Sequence, residues 1–134
     1  MVLGVQIAVG FDQVRTWALP SDLSAASTAR GHVAEVCAGL PDETVYTARL
    51  LVTELVSNAV LHGRGRVLLT VARDDTGVRV EVHDESPRLP EVMDRLPMAE
   101  HGAGLRLVSA MAGAWGAEPL ADGQPGKRVW FTLP

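Results

Sequence analysis

At 134 residues the chain has the length of one domain, since single cores usually run to about 100–200 residues. Hydrophobic residues make up 47% and charged residues 21%, enough apolar side chain to offset the entropy of ordering, which excludes a wholly disordered chain. The net charge is −4, and the twelve basic residues, eleven Arg and the single Lys127, are spread thinly from Arg15 to Arg128, which argues against a nucleic-acid binder.

In chain order, residues 2–9 read as an apolar strand, an edge or dimer-forming one, and 14–19 as a second. Pro20 and Ser21 then supply a stop and a helix N-cap before a helix over 23–38, which Gly39-Leu40-Pro41 ends. A longer helix runs from Asp42, with Glu43 in its first turn as the macrodipole favours, to Gly63. Residues 66–73 and 78–83 alternate as strands around Asp74-Asp75-Thr76-Gly77, which has hairpin chemistry. Pro87, Pro90 and Pro97 make 85–101 a long irregular loop. A helix over 104–112, a strand over 115–120, a Gly123-Gln124-Pro125-Gly126 turn and a strand over 127–133 complete the chain. This order predicts a two-layer α/β sandwich, a mostly antiparallel sheet with helices on one face.

No stretch reaches the roughly 18 apolar residues of a membrane span, and the apolar start lacks a basic leader, so a cytoplasmic protein with no membrane attachment is expected. Cys37 stands alone in an apolar helical pattern and reads as a small buried hydrophobe. His32, His62, His83 and His101 fall on four separate elements without cysteine partners, which does not make a zinc site. Trp130 is expected in the sheet core, and Trp17 and Trp115 in the core or an interface.

Three places carry chemistry. On the long helix, Ala48, Leu51, Val52, Leu55, Val56 and Ala59 form the buried stripe, with Glu54 and Asn58 at its shoulder. Four residues apart, these two face the same way, so a carboxylate and an amide oxygen converge where core meets solvent. Such oxygens suit Mg²⁺ and a proton-accepting base, although a plain amphipathic helix carries such a rim too. His83-Asp84 ends a strand; its carboxylate can accept from an exocyclic amine such as that of adenine, or make an Asx turn. Gly102-Ala103-Gly104-Leu105 precedes a helix, where free N–H groups suit a phosphate or simply give a flexible start.

The ordered set resembles the GHKL (Bergerat-fold) ATPases, and among them the small anti-sigma-factor serine/threonine kinases and related regulatory ATP-binding proteins of actinobacteria. Glu54-Leu-Val-Ser-Asn58-Ala-Val-Leu-His62-Gly63 is similar to their N-box, Val80-Glu-Val-His-Asp84 to the start of the G1 box, and His101-Gly102-Ala-Gly104-Leu105 to the G2 box. Gly126-Lys127-Arg128-Val129-Trp130-Phe131 looks like the closing strand, so the likeness runs from about residue 15 to 133. It implies Glu54 as catalytic base or water-positioning residue, Asn58 as Mg²⁺ ligand and Asp84 as adenine reader. It implies further ATP contacts at His62, Ser86, Gly102, Ala103, Gly104, Leu105 and Arg128, with 85–101 as a lid over the nucleotide. A sigma factor and an anti-sigma-factor antagonist follow as partners, and a homodimer as the assembly, with residues 1–13 as its strand. Two features depart from the pattern. Asp84-Glu85-Ser86-Pro87-Arg88 carries Ser and Arg where the family has glycines, and Arg128 stands where a Thr beside the adenine-reading Asp is expected. These leave a second function open, a catalytically weak or inactive protein-binding module of the same fold.

Overall fold

The computed structural model describes residues 11–89, 100–121 and 123–134, the side chains of 100–104 excepted. The strand expected over 2–9 and most of the lid-like loop lie outside the described residues. In order come β1 (Gln13–Leu19), α1 (Ala25–Val36), α2 (Asp42–His62), β2 (Val67–Asp74), β3 (Gly77–Asp84), α3 (Glu100–Met111), β4 (Ala114–Pro119) and β5 (Lys127–Leu133). The five strands form one sheet in the order β1-β2-β3-β5-β4, antiparallel at every pairing. Because β3 and β4 both run against β5, they are parallel to each other, and α3 rides in the crossover between them.

Period-two alternation sorts the sheet into two chemically distinct faces. Val67, Leu69 and Val71 of β2, Val78, Val80 and Val82 of β3, and Val129, Phe131 and Leu133 of β5 lie on one face. All are buried in the core. The α2 stripe Ala48, Leu51, Val52, Leu55, Val56 and Ala59 is buried as expected, and α2 packs on β2, β3 and β5 as well as on the flanking helices. The expected sandwich, with an antiparallel sheet and helices on one face, is the architecture found.

Buried charged side chains share the helix side too: Asp84 and Lys127 at the ends of β3 and β5, and Arg73. Arg73 of β2 is buried, and its Nη1 donates to Val36 O at 3.1 Å and Ala38 O at 2.8 Å. It thereby satisfies carbonyls that the end of α1 would otherwise leave unpaired. Cys37 beside it is fully buried; burial pushes its thiol to about 11 against the opposing pull of the Arg73 charge, so it behaves as the hydrophobe expected. The N-cap expectation at Ser21 is corrected. Asp22 accepts from the Ser24 N–H at 2.8 Å, α1 starts at Ala25, and Ser21 Oγ instead donates to Gly65 O at 3.2 Å.

On the outer face, Arg79, Glu81 and His83 of β3 lie beside Arg128, Trp130 and Thr132 of β5. Trp130 is therefore not core, contrary to expectation: it is half-buried under the Arg79 guanidinium, 4.1 Å from its ring centroid, and spreads over Gly116. Glu81 is 1% exposed, bonded to His83 Nε2 at 2.6 Å and 3.4 Å from Arg79 Nη2. Burial alone would raise its carboxyl, but the His83 hydrogen bond and the His83, Arg128 and Arg79 charges together hold it below its ordinary 4.5. A carboxyl depressed in the folded state stabilises the fold above its unfolded pKa, and that stability is lost as pH falls through the folded value. Glu81→Gln is thus expected to flatten the acid limb of the stability curve from about pH 4.5 downward. Urea midpoints of both proteins between neutral and acid pH check this, and a wild-type limb in the variant would place the acid loss on other carboxylates.

Candidate functional site

Glu54 and Asn58 stand one turn apart on α2, both half-buried, so neither is lost in the core and neither is fully hydrated. Burial raises the Glu54 carboxyl above its ordinary 4.5, the direction that makes a carboxylate a better proton acceptor near neutral pH. His62 lies exposed on the last turn of the same helix. The helix then stops at Gly63, whose φ of −83° is extended rather than left-handed. Glycine is required there by proximity: a Cβ would stand 2.5 Å from Ala59 O and 2.6 Å from Asp84 Cγ.

The end of α2 is tied to the end of β3 by backbone. Glu85 N–H donates to Arg64 O at 2.9 Å, and Arg66 N–H donates to Glu85 Oε1 at 2.6 Å. Asp84 is 3% exposed, and Ser86 N–H donates to its Oδ1 at 2.8 Å, the Asx-turn geometry weighed for it above. Ser86 is itself buried, and its Oγ accepts from Arg88 N–H at 3.3 Å. Lys127 Nζ also donates to Asp84, 3.0 Å from Oδ1 and 2.9 Å from Oδ2.

The fold thus gathers Asp84, Ser86 and Gly63 at one end of α2, with Glu54 and Asn58 on the turns leading to it. It does not bring Arg128 there. Across from Asp84 on β5 is Lys127, while Arg128 lies across from His83 on the outer face, where its Nε donates to Glu118 Oε1 at 2.7 Å. The expectation that Arg128 stands beside Asp84 is corrected to Lys127, which sequence reasoning passed over. Gly102, Ala103 and Gly104, expected just ahead of a helix, lie inside α3, which starts at Glu100. Gly102 and Ala103 still fall in the first turn, whose amides an α-helix leaves unbonded. Leu105, named with them as a nucleotide contact, has its side chain in the core at 1% exposed.

Residues 19–132 match the model of the histidine kinase-like ATPase domain. The chain belongs to that family. The histidine kinase-like ATPase domain is a nucleotide-binding unit, and the GHKL resemblance drawn from the motifs agrees with it. Over 100 residues the domain is 30% identical to the sensor histidine kinase component HK1 of Mycobacterium tuberculosis, covering 64% of this chain and 60% of that protein. Over 97 residues it is 33% identical to the signal transduction histidine-protein kinase AfsQ2 of Streptomyces coelicolor, covering 63% of this chain and 18% of that one. In fold it matches the crystal structure of the RsbU and RsbW domains of Rv1364c from Mycobacterium tuberculosis, with a TM-score of 0.67 and 21% identity over 90% of this chain and 31% of that one. Among the described residues no helix is long and apolar enough to cross a membrane.

Proposed function

We propose that this ATPase domain is an anti-sigma-factor-type serine/threonine kinase, taking phosphate from ATP and placing it on a hydroxyl of an antagonist protein. The pairing of Glu54 and Asn58 on one half-buried helical face carries this proposal, together with the family to which the chain belongs. Phosphoryl transfer asks little covalent chemistry of a protein and much positioning and electrostatics. Glu54 Oε accepts the proton of the attacking hydroxyl, and its raised pKa keeps that transfer from being strongly uphill. The Asn58 amide oxygen is a hard, neutral donor of the sort Mg²⁺ takes while keeping several waters. When bound, Mg²⁺ supplies charge neutralisation on the phosphates. The first-turn amides of α3 offer N–H groups to the phosphate chain, and Asp84 marks the base end. Partner switching between a sigma factor and its antagonist, from a homodimer, is the setting in which such a kinase regulates transcription.

The test is calorimetric titration of ATP with Mg²⁺ into wild type and Asn58→Ala, followed by transfer to a protein acceptor. Wild type is expected to bind Mg²⁺-ATP and the variant to bind at least tenfold more weakly. The transferred phosphate should survive acid, as a phosphoester does. An acid-labile product would assign the domain to histidine phosphorylation, and no binding by folded wild type would reject the nucleotide reading.

A further inference from the structure

Between α2 and β2, residues 63–66 form a strap that lies against the end of β3. Gly63 packs on Asp84, and Gly65 packs on Glu85: at a φ of +72°, which glycine adopts at little cost, a Cβ on Gly65 would collide with Glu85 Oε1 and stand 2.6 Å from its Cδ. The register of β2 and β3 sets Leu68 across from His83, so carried two residues on it would set Arg66 across from Glu85. There the backbone ladder gives way to a side chain. Glu85 N–H reaches past Arg66 to Arg64 O, and the Arg66 N–H is taken by the Glu85 carboxylate, whose Oε1 accepts it at 2.6 Å. A carboxylate thus stands in for a strand carbonyl just where the strap enters β2 at Val67. Ser21 Oγ also holds the strap, donating to Gly65 O at 3.2 Å.

We infer that Glu85 is a positioning residue of the nucleotide site: its carboxylate latches the 63–66 strap onto the end of β3 and thereby fixes the end of α2, with Asn58, against Asp84 and Ser86. The inference rests on the nucleotide site proposed above and deepens it. Asn58 O accepts from Gly63 N–H at 3.3 Å, so a shift of the strap is passed to the helix turn that carries the Asn58 amide. A nucleotide that engages both Asn58 and the end of β3 needs them at one spacing, and a bond that sets this spacing beforehand removes an ordering cost from binding. Reach matters more than charge. One methylene fewer leaves the Arg66 N–H short of its acceptor, whereas an amide oxygen at the same distance also accepts it. Glu85 is exposed, so water replaces a lost bond and the fold itself loses little.

Calorimetric titration of Mg²⁺-ATP into the full chain tests the inference, with wild type beside Glu85→Ala, Glu85→Asp and Glu85→Gln. The Ala and Asp variants are expected to bind about tenfold more weakly, the scale of one hydrogen bond to a charged group, and the Gln variant within about threefold of wild type. Urea midpoints of all four should agree closely, because the bond lies at the surface. Wild-type affinity in Glu85→Ala or Glu85→Asp would overturn the inference and leave the nucleotide site intact. A loss in Glu85→Gln as large as in Glu85→Ala would do the same, since charge and not reach would then be the agent. Midpoints that fall in step with affinity would make Glu85 a stability residue only, again overturning the inference. No binding by folded wild type would overturn the site and the inference together. Asp and Gln differ from Glu by one methylene and one amide, so their comparison decides the question even where Glu85→Ala folds poorly.

Discussion

Glu54→Ala is expected to lower phosphoryl transfer at least ~100-fold, the lower end of what a positioned general base contributes. Mg²⁺-ATP affinity should stay within about threefold, because in the proposed mechanism the removed group acts on the attacking hydroxyl and not on the nucleotide. The helix itself should tolerate the change, since Glu54 is half-buried beside the stripe rather than in it and Ala is the best helix former. A pH profile adds a second readout. Burial raises the Glu54 pKa, so in wild type the base form is lost, and the rate with it, as pH falls through a value above the ordinary 4.5. That acid limb should vanish in Glu54→Gln along with most of the rate. Single-turnover transfer measured across pH separates the two cases, and an unchanged rate in Glu54→Ala would remove the residue from the mechanism.

Phe131→Ala should cost about 3–5 kcal/mol of folding free energy, the range for emptying a buried aromatic site. Phe131 is 0% exposed, lies between Val80 on β3 and Trp115 on β4, and points to the helix side where α2 packs on β5. It joins three strands and a helix, so the site has little freedom to collapse around the loss. A domain of this size has about 5–15 kcal/mol in total, so the variant should be close to unfolding at 37 °C. Leu61→Ala is the control. That side chain is 55% exposed, and its removal should stay within about 0.5 kcal/mol. Urea midpoints with unchanged slope decide the matter, and equal effects at both positions would mean that the β5 core contact is not what holds the sheet to the helices.

Much of this fold is legible in the sequence. The α2 stripe was named residue by residue because a 21-residue amphipathic helix repeats its period often enough to be read without ambiguity. The alternation of β5 was equally plain, and its strand limits were placed as found, at Lys127 and Leu133. Yet that alternation also holds the answer missed beside Asp84. In Lys127-Arg128-Val129-Trp130-Phe131-Thr132-Leu133, the residues sharing a face with Val129, Phe131 and Leu133 include Lys127, whereas Arg128 goes with Trp130 and Thr132. Placing Trp130 in the core and Arg128 beside Asp84 both came from ignoring that one parity. Ser21 failed for another reason: the helix starts four residues later, at Ala25 with Ser24 in the N-cap position, and Asp22 takes up the Ser24 N–H in the turn before it, a local bond that composition does not reveal. The start of α3 was placed at Gly104 because glycine is a weak helix former, and tertiary packing against α2 outweighs that preference.

The position of β5 between β3 and β4 has a consequence for how the molecule comes into being. The strand that closes the sheet is the last of the five in sequence, so β3 and β4 share no hydrogen-bonded neighbour until β5 arrives between them. Such late, long-range pairing is slow, and it leaves two strand edges open to wrong partners in the meantime. The same strand delivers Lys127 to Asp84 in its first residue. The Asp84–Lys127 pair at the end of β3 therefore forms in the same event as the finished sheet, and a nascent chain that has not closed leaves the Asp84 carboxylate without its buried cation.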